Sequence, residues 1–148
     1  MSKKRHRARE YAVQALYQWQ VTGNETSQIL QQFALEKKST TYEVEYFKDL
    51  VLGVVTRLAD LDEAITPLID RDIEQVDLVE RAVLRLAAYE LLKHPEIPYR
   101  VIINEAVELT KMFGAEMGHR YVNGVVDKMA RSIRAIEFNA VREAAKKR

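Results

Sequence analysis

Cysteine is absent from all 148 residues, which excludes a disulfide framework and every thiolate metal site. Proline occurs three times and glycine five times, too little punctuation for a sheet built of hairpins. No apolar run approaches the roughly 20 residues of a membrane span, and the basic start leads into no signal-peptide stretch. A cytoplasmic protein without a membrane segment is expected. Phosphate loop, dinucleotide fingerprint and paired histidines at metal spacing are all missing, so no catalytic residue, no cofactor and no metal is expected. Glu116 and His119 have the spacing of half a di-iron helix motif, but no second copy accompanies them and Gly118 interrupts the helix. His6 and His94 lack partners in the nearby sequence and are expected at the solvent. Met112, Met117 and Met129 read as core or boundary fillers.

Helical periodicity is what the chain has instead. Apolar residues make up 47% of it, enough for one ordinary core, and they recur at three- and four-residue intervals. The expectation is an all-α fold, a compact domain of about seven helices. A first helix near Arg5 to Val21 places Ala8, Ala12, Ala15, Leu16 and Trp19 on one arc, with Arg7, Gln14 and Gln18 opposite and Arg5 and Arg9 at the edge. A short helix spans Gln28 to Leu35. Thr40 and Glu43 have capping-box spacing before the stripe Phe47, Leu50, Val51, Val54, Val55 and Leu58. Asp60 with Glu63 repeats that spacing before Ala64, Ile65, Leu68 and Ile69. Asp77 with Glu80 repeats it before a helix, apolar nearly all round, that belongs at the centre. Pro95 and Pro98 end that element and open the next, which runs to Phe113 with Gly114 as its cap. A last helix from Gly118 carries Val122, Val125, Met129, Ile133 and Ile136. No linker divides these elements, so residues 1–148 form one unit, with a basic arm over 1–9 and a frayed tail over 138–148.

Charge is segregated along this unit. Residues 1–9 hold five lysines and arginines and no acid, whereas residues 10–140 hold 14 basic and 21 acidic side chains. Arg5, Arg7 and Arg9 open the first helix just before Tyr11, Tyr17 and Trp19. Guanidinium forks meet phosphates two-pronged and aromatic rings stack on bases, so this junction points to RNA. A solvated tail is the competing reading. From Asp60 to Glu80 there are eight acids against the single base Arg71. Four of them sit where helix starts want negative charge; of the other four, Asp70, Asp72 and Glu74 are the less constrained and suit a basic partner.

Several strings resemble one family together: Arg7-Ala8-Arg9-Glu10, Ala12-Val13-Gln14-Ala15-Leu16-Tyr17, Arg81-Ala82-Val83-Leu84-Arg85, Tyr89-Glu90-Leu91, Ile103-Asn104-Glu105-Ala106, Phe113-Gly114-Ala115-Glu116 and Tyr121-Val122-Asn123-Gly124-Val125. Their order and spacing, over more than a hundred residues, are similar to the NusB family of bacterial transcription antitermination factors. The resemblance implies two small helical bundles packed together and a function without catalysis. Its implied partners are boxA-type single-stranded RNA, the small-subunit ribosomal protein that doubles as NusE, and, through them, RNA polymerase and other Nus factors during ribosomal RNA transcription.

Carried onto this chain, the resemblance makes Arg5, Arg7 and Arg9 the RNA-binding arm. Gln14, Tyr17 and Gln18 follow as base-reading candidates, although the glutamines equally fit a wet helix face. Arg120 and Tyr121 form a second RNA candidate, where the bland alternative puts Tyr121 in the core. The family often has phenylalanine at 121 and an acid at 117; this chain has Tyr121 and Met117. Glu74 and Glu80 fall on the NusE-facing side. Two rival readings stand beside this one: a protein-interaction module or homodimer whose arm is only an electrostatic tail, and a piece of an RNA methyltransferase, for which no methyl-donor site is expected.

Overall fold

The computed structural model describes residues 3–114 and 117–146. Among them are eight α-helices and no strand: α1 (Lys3–Thr22), α2 (Thr26–Glu36), α3 (Val44–Thr56), α4 (Leu58–Ile65), α5 (Leu78–Lys93), α6 (Tyr99–Phe113), α7 (Gly118–Ile133) and α8 (Ala135–Lys146). Single 3₁₀ turns at Ser39–Thr41, Thr66–Leu68 and Ile73–Gln75 join some of them.

Helix α5 is central because its sequence leaves no face for water. Every residue from Arg81 to Leu91 is buried. The expected cap at its start is present: Asp77 Oδ2 accepts from the backbone N–H of Val79 and Glu80, at 3.0 and 3.2 Å. On one side α5 meets α1 and α3, which with α2 enclose Leu16, Ile29, Phe33, Phe47, Leu50 and Val51. Rings fill the outer part of that bundle, with Tyr11 edge-on to Tyr42 at 4.9 Å and Phe33 5.3 Å from Phe47. On its other side α5 packs with α4, α6 and α7 around Leu61, Ile65, Leu84, Ile102, Leu109, Val122 and Met129. Two small bundles therefore share one helix.

Two expected caps are corrected. Thr40 lies in a 3₁₀ turn, and the residue before α3 is Glu43, whose side chain makes no cap hydrogen bond. Helix α4 begins at Leu58, so Asp60 sits inside its first turn rather than ahead of it, and Leu68 belongs to the following 3₁₀ turn. A third correction concerns the C-terminal helix, expected to run unbroken through Ile136. It breaks at Arg134, whose buried guanidinium turns inward. There it donates to the carbonyls of Leu91 (3.1 Å), Glu90 (3.2 Å), His94 (2.8 Å) and Ile97, and to Glu137 Oε1 (3.2 Å). One arginine thus caps the end of α5 and the turn after it, where helix-end carbonyls carry partial negative charge. The break leaves Ile136 88% exposed. Residues 138–146, expected to fray, continue as α8, with Phe138 stacked 3.9 Å from Tyr99.

Candidate nucleic-acid interface

The three arginines of the arm have three different environments. Arg9 falls in phase with Ala12 and Leu16, so α1 turns it into the core, where it is 1% exposed. Its Nε lies 3.0 Å from both Glu90 oxygens and its Nη2 2.9 Å from Oε2. Tyr46 Oη donates to the same carboxylate at 2.5 Å. Burial, then Glu90, push the Tyr46 hydroxyl far above the usual tyrosine range. An arginine so enclosed cannot meet a phosphate, which corrects the expectation that Arg9 belongs to the RNA-binding arm. Glu90 and Tyr46 are the residues that reading the sequence missed. The available signal was a glutamate in the otherwise apolar run Leu86 to Leu92, matched by an arginine on the apolar arc of α1.

Arg5 is half-exposed, paired with Glu43 and stacked on the Tyr46 ring, its guanidinium carbon 4.3 Å from the centroid. Arg7 is more open, with Glu10 3.3 Å away and the Tyr11 ring within 6.0 Å. His6, expected at the solvent without a partner, instead bridges Glu10 at 3.2 Å and Glu105 at 2.6 Å, tying α1 to α6. His94 is corrected in the same way. Its Nε2 lies 2.6 Å from Asp49 and its ring packs on Tyr46 and Tyr89.

Farther along α1, Gln14 and Tyr17 line a groove of about 290 Å³ with Val13, Val79 and Phe113. Tyr17 is 41% exposed, so its ring is open to a stacking base. Gln18 Nε2 donates to Gln32 of α2 at 3.0 Å. Arg7, Gln14 and Gln18, seven and four residues apart, share one stripe of α1.

Arg120 and Tyr121 diverge. Arg120 is exposed and borders a groove with Asn104, Val107, Glu108, His119 and Asn123 between α6 and α7. Tyr121 packs partly into the core, its ring 5.0 Å from the Arg71 guanidinium and its Oη buried with no hydrogen-bond partner among the described residues. Burial raises the pKa of that hydroxyl. Tyr121 thus packs against the core, as the bland alternative expects, and it does not line the Tyr17 groove.

The acidic stretch also divides. Asp62 is partly buried, taking two bonds of 2.9 Å from Arg85, which reaches Gln20 of α1 as well. Glu74 is exposed, 3.4 Å from Arg81 Nη1. Glu80 is half-buried, and burial followed by the neighbouring Asp77 raises its pKa. Among the described residues, no group of three or more His, Asp or Glu could hold a metal ion. Glu116 lies outside the described residues, so its pairing with His119 does too. No helix in the described residues is long and apolar enough to cross a membrane.

These features define a two-bundle helical binding protein whose first helix presents basic and aromatic side chains along one flank. Residues 6–131 match the model of the NusB family. The transcription antitermination protein NusB of Xanthomonas oryzae pv. oryzae is 53% identical over 136 residues, covering 92% of this chain and 87% of that protein. The protein of that name from Xylella fastidiosa is 52% identical over 133 residues, covering 90% and 85%. The chain belongs to the NusB family. Among solved structures, T. maritima NusB superposes with a TM-score of 0.82 at 30% identity, over 94% of this chain and 99% of that one. A structure of NusB and NusE in complex with double-stranded RNA superposes at 0.80 with 27% identity, over 89% and 99%.

Proposed function

We infer that this protein is a non-catalytic transcription antitermination factor. It works in the cytoplasm, binding boxA-type RNA together with NusE and joining RNA polymerase and other Nus factors during ribosomal RNA synthesis. The observation that carries the reading is the flank of α1, where exposed Arg7 shares a stripe with Gln14 and the Tyr17 ring opens beside it. Phosphates meet the guanidiniums while an unpaired base stacks on the ring, the common way of reading single-stranded RNA. The relatives' names and the NusB–NusE–RNA structure support the same assignment.

Titration of labelled boxA-type RNA and a scrambled RNA, with and without NusE, tests it by fluorescence anisotropy. Preference for boxA should sharpen with NusE. Tyr17→Ala should weaken boxA binding by about 1–3 kcal/mol, the worth of one stacked base. Arg7→Ala should weaken both RNAs alike and make the logarithmic salt slope shallower by about 0.7. Equal binding of both RNAs in every condition would reduce the arm to an electrostatic tail.

Glu74 and Glu80 are the proposed NusE-facing charges. Glu74 is the cleaner one to reverse, since Glu80 is half-buried at the start of α5. Complementary charge acts mainly on the encounter rate. Glu74→Lys should therefore slow association with NusE at low salt, the difference closing as salt rises. An association rate equal to that of the wild type in stopped-flow would remove Glu74 from the interface.

A further inference from the structure

Arg5 and Glu43 are 38 positions apart in sequence and meet in a two-pronged ion pair, Nε to Oε2 and Nη2 to Oε1, each at 3.1 Å. The backbone holds them together as well, because the Glu43 N–H donates to the Lys4 carbonyl at 3.1 Å. Glu43 immediately precedes α3, where a side chain ordinarily caps the helix, yet it makes no cap bond and reaches Arg5 instead. Both side chains are 35% exposed, so the pair sits at the surface and water or a ligand can reach it. A carboxylate gripping a guanidinium through two oxygens is the geometry in which a phosphate would grip it. Of the three arm arginines, Arg9 is sealed in the core, and Arg7 lies more open beside Glu10 and the Tyr11 ring without a two-pronged carboxylate partner among the described residues. Arg5 is the one held two-pronged where the partner can be exchanged.

We propose that Glu43 is a resident phosphate mimic that occupies the Arg5 fork in the free protein and is displaced by an RNA phosphate. The inference rests on the RNA-binding reading above. Displacement costs the same whatever the base sequence, because phosphates carry the contact and bases do not. Glu43 thus lowers affinity for every RNA alike, and selectivity is left to the groove at Gln14 and Tyr17.

The test is anisotropy titration of the full chain with boxA-type and scrambled RNA, using wild type, Glu43→Gln, Arg5→Ala and the double variant. Glutamine keeps the shape and removes the charge. Glu43→Gln should tighten both RNAs by the same factor, roughly threefold for a half-exposed pair. The logarithmic salt slope should steepen by about 0.7, as one more arginine charge becomes available to phosphate. In the Arg5→Ala background the gain should vanish, since coupled residues show their interaction in such a cycle. Should Glu43→Gln unfold, Glu43→Asp keeps the charge, shortens its reach and should give a smaller gain of the same sign. Unchanged or weaker binding by the folded variant overturns the proposal. So does a gain that persists without Arg5, which reports only the loss of one surface negative charge. A wild-type protein that binds neither RNA even with NusE present overturns the RNA-binding reading and this inference with it, whereas wild-type binding with no gain in the variant overturns the inference alone.

Discussion

Replacing Glu90 with alanine should lower the unfolding free energy by about 3–5 kcal/mol, the cost of breaking a buried ion pair by removing one partner. The Arg9 guanidinium is 1% exposed and Glu90 2% exposed, so water cannot take over the lost bonds. Glu105 offers little relief, its nearest oxygen lying 3.8 Å from Arg9 and already bonded to His6 at 2.6 Å. Tyr46 Oη would lose its acceptor in the same change. A chain of this length should melt roughly 10 °C lower. Removing all three polar groups together separates the cost of breaking the pair from the worth of the pair. Arg9→Met with Tyr46→Phe and Glu90→Leu should cost far less, under about 2 kcal/mol, because apolar groups of similar volume need no partners. Urea unfolding followed by circular dichroism measures both. A Glu90→Ala protein destabilised by less than about 1 kcal/mol would mean that Arg9 finds another partner on relaxation.

Gly53→Ala should be the second damaging change, against the usual rule for helices. Alanine in a helix interior is better than glycine by about 1 kcal/mol, so propensity alone favours the substitution in α3. Packing decides otherwise. A Cβ built on Gly53 falls within 2.5 Å of Tyr89 Oη and closer still to two carbons of that ring. The ring cannot step aside easily, since Tyr89 is buried on α5 and its hydroxyl bonds Asp49 at 2.7 Å, the carboxylate that also holds His94. Overpacking of a close-packed site costs about 1–3 kcal/mol and more where neighbours are pinned, so the net change should be a loss of at least about 2 kcal/mol. Gly124→Ala is the control. Gly124 lies inside α7, is exposed, and has nothing within 4 Å of its would-be Cβ, so there propensity should win and stability rise by about 0.5–1 kcal/mol. Thermal melts of the two variants should therefore move in opposite directions. Equal shifts would show that α3 and α5 separate enough to admit a methyl group.

Reading the chain by periodicity located α1, α3, α5, α6 and α7 because each carries its apolar stripe within its own few turns. Asp77 was legible as a cap for the same reason: donor and acceptor are two and three residues apart. Thr40 and Asp60 have equivalent spacing and do not cap, because spacing says nothing of where the chain turns. The site was legible in part. Arg7, Gln14 and Tyr17 share an exposed flank that a helical projection shows, but the projection put Arg5 and Arg9 alike at the edge of the arc. Their fates separate only when α5 arrives with Glu90 and the start of α3 with Glu43 and Tyr46.

The sequence alone determined that this chain is all helical, that its basic charge gathers at the start of the first helix, and that α5 lies at the centre. Each follows from interactions between residues a turn apart or from composition. Tertiary structure decided which arginine is buried, which is latched and which is open, and it bent the last helix so that Arg134 closes the end of α5. These outcomes depend on partners 81, 38 and 43 positions away for Arg9, Arg5 and Arg134. A buried charge takes whichever partner the packed helices bring within bonding distance, and no local pattern specifies that distance.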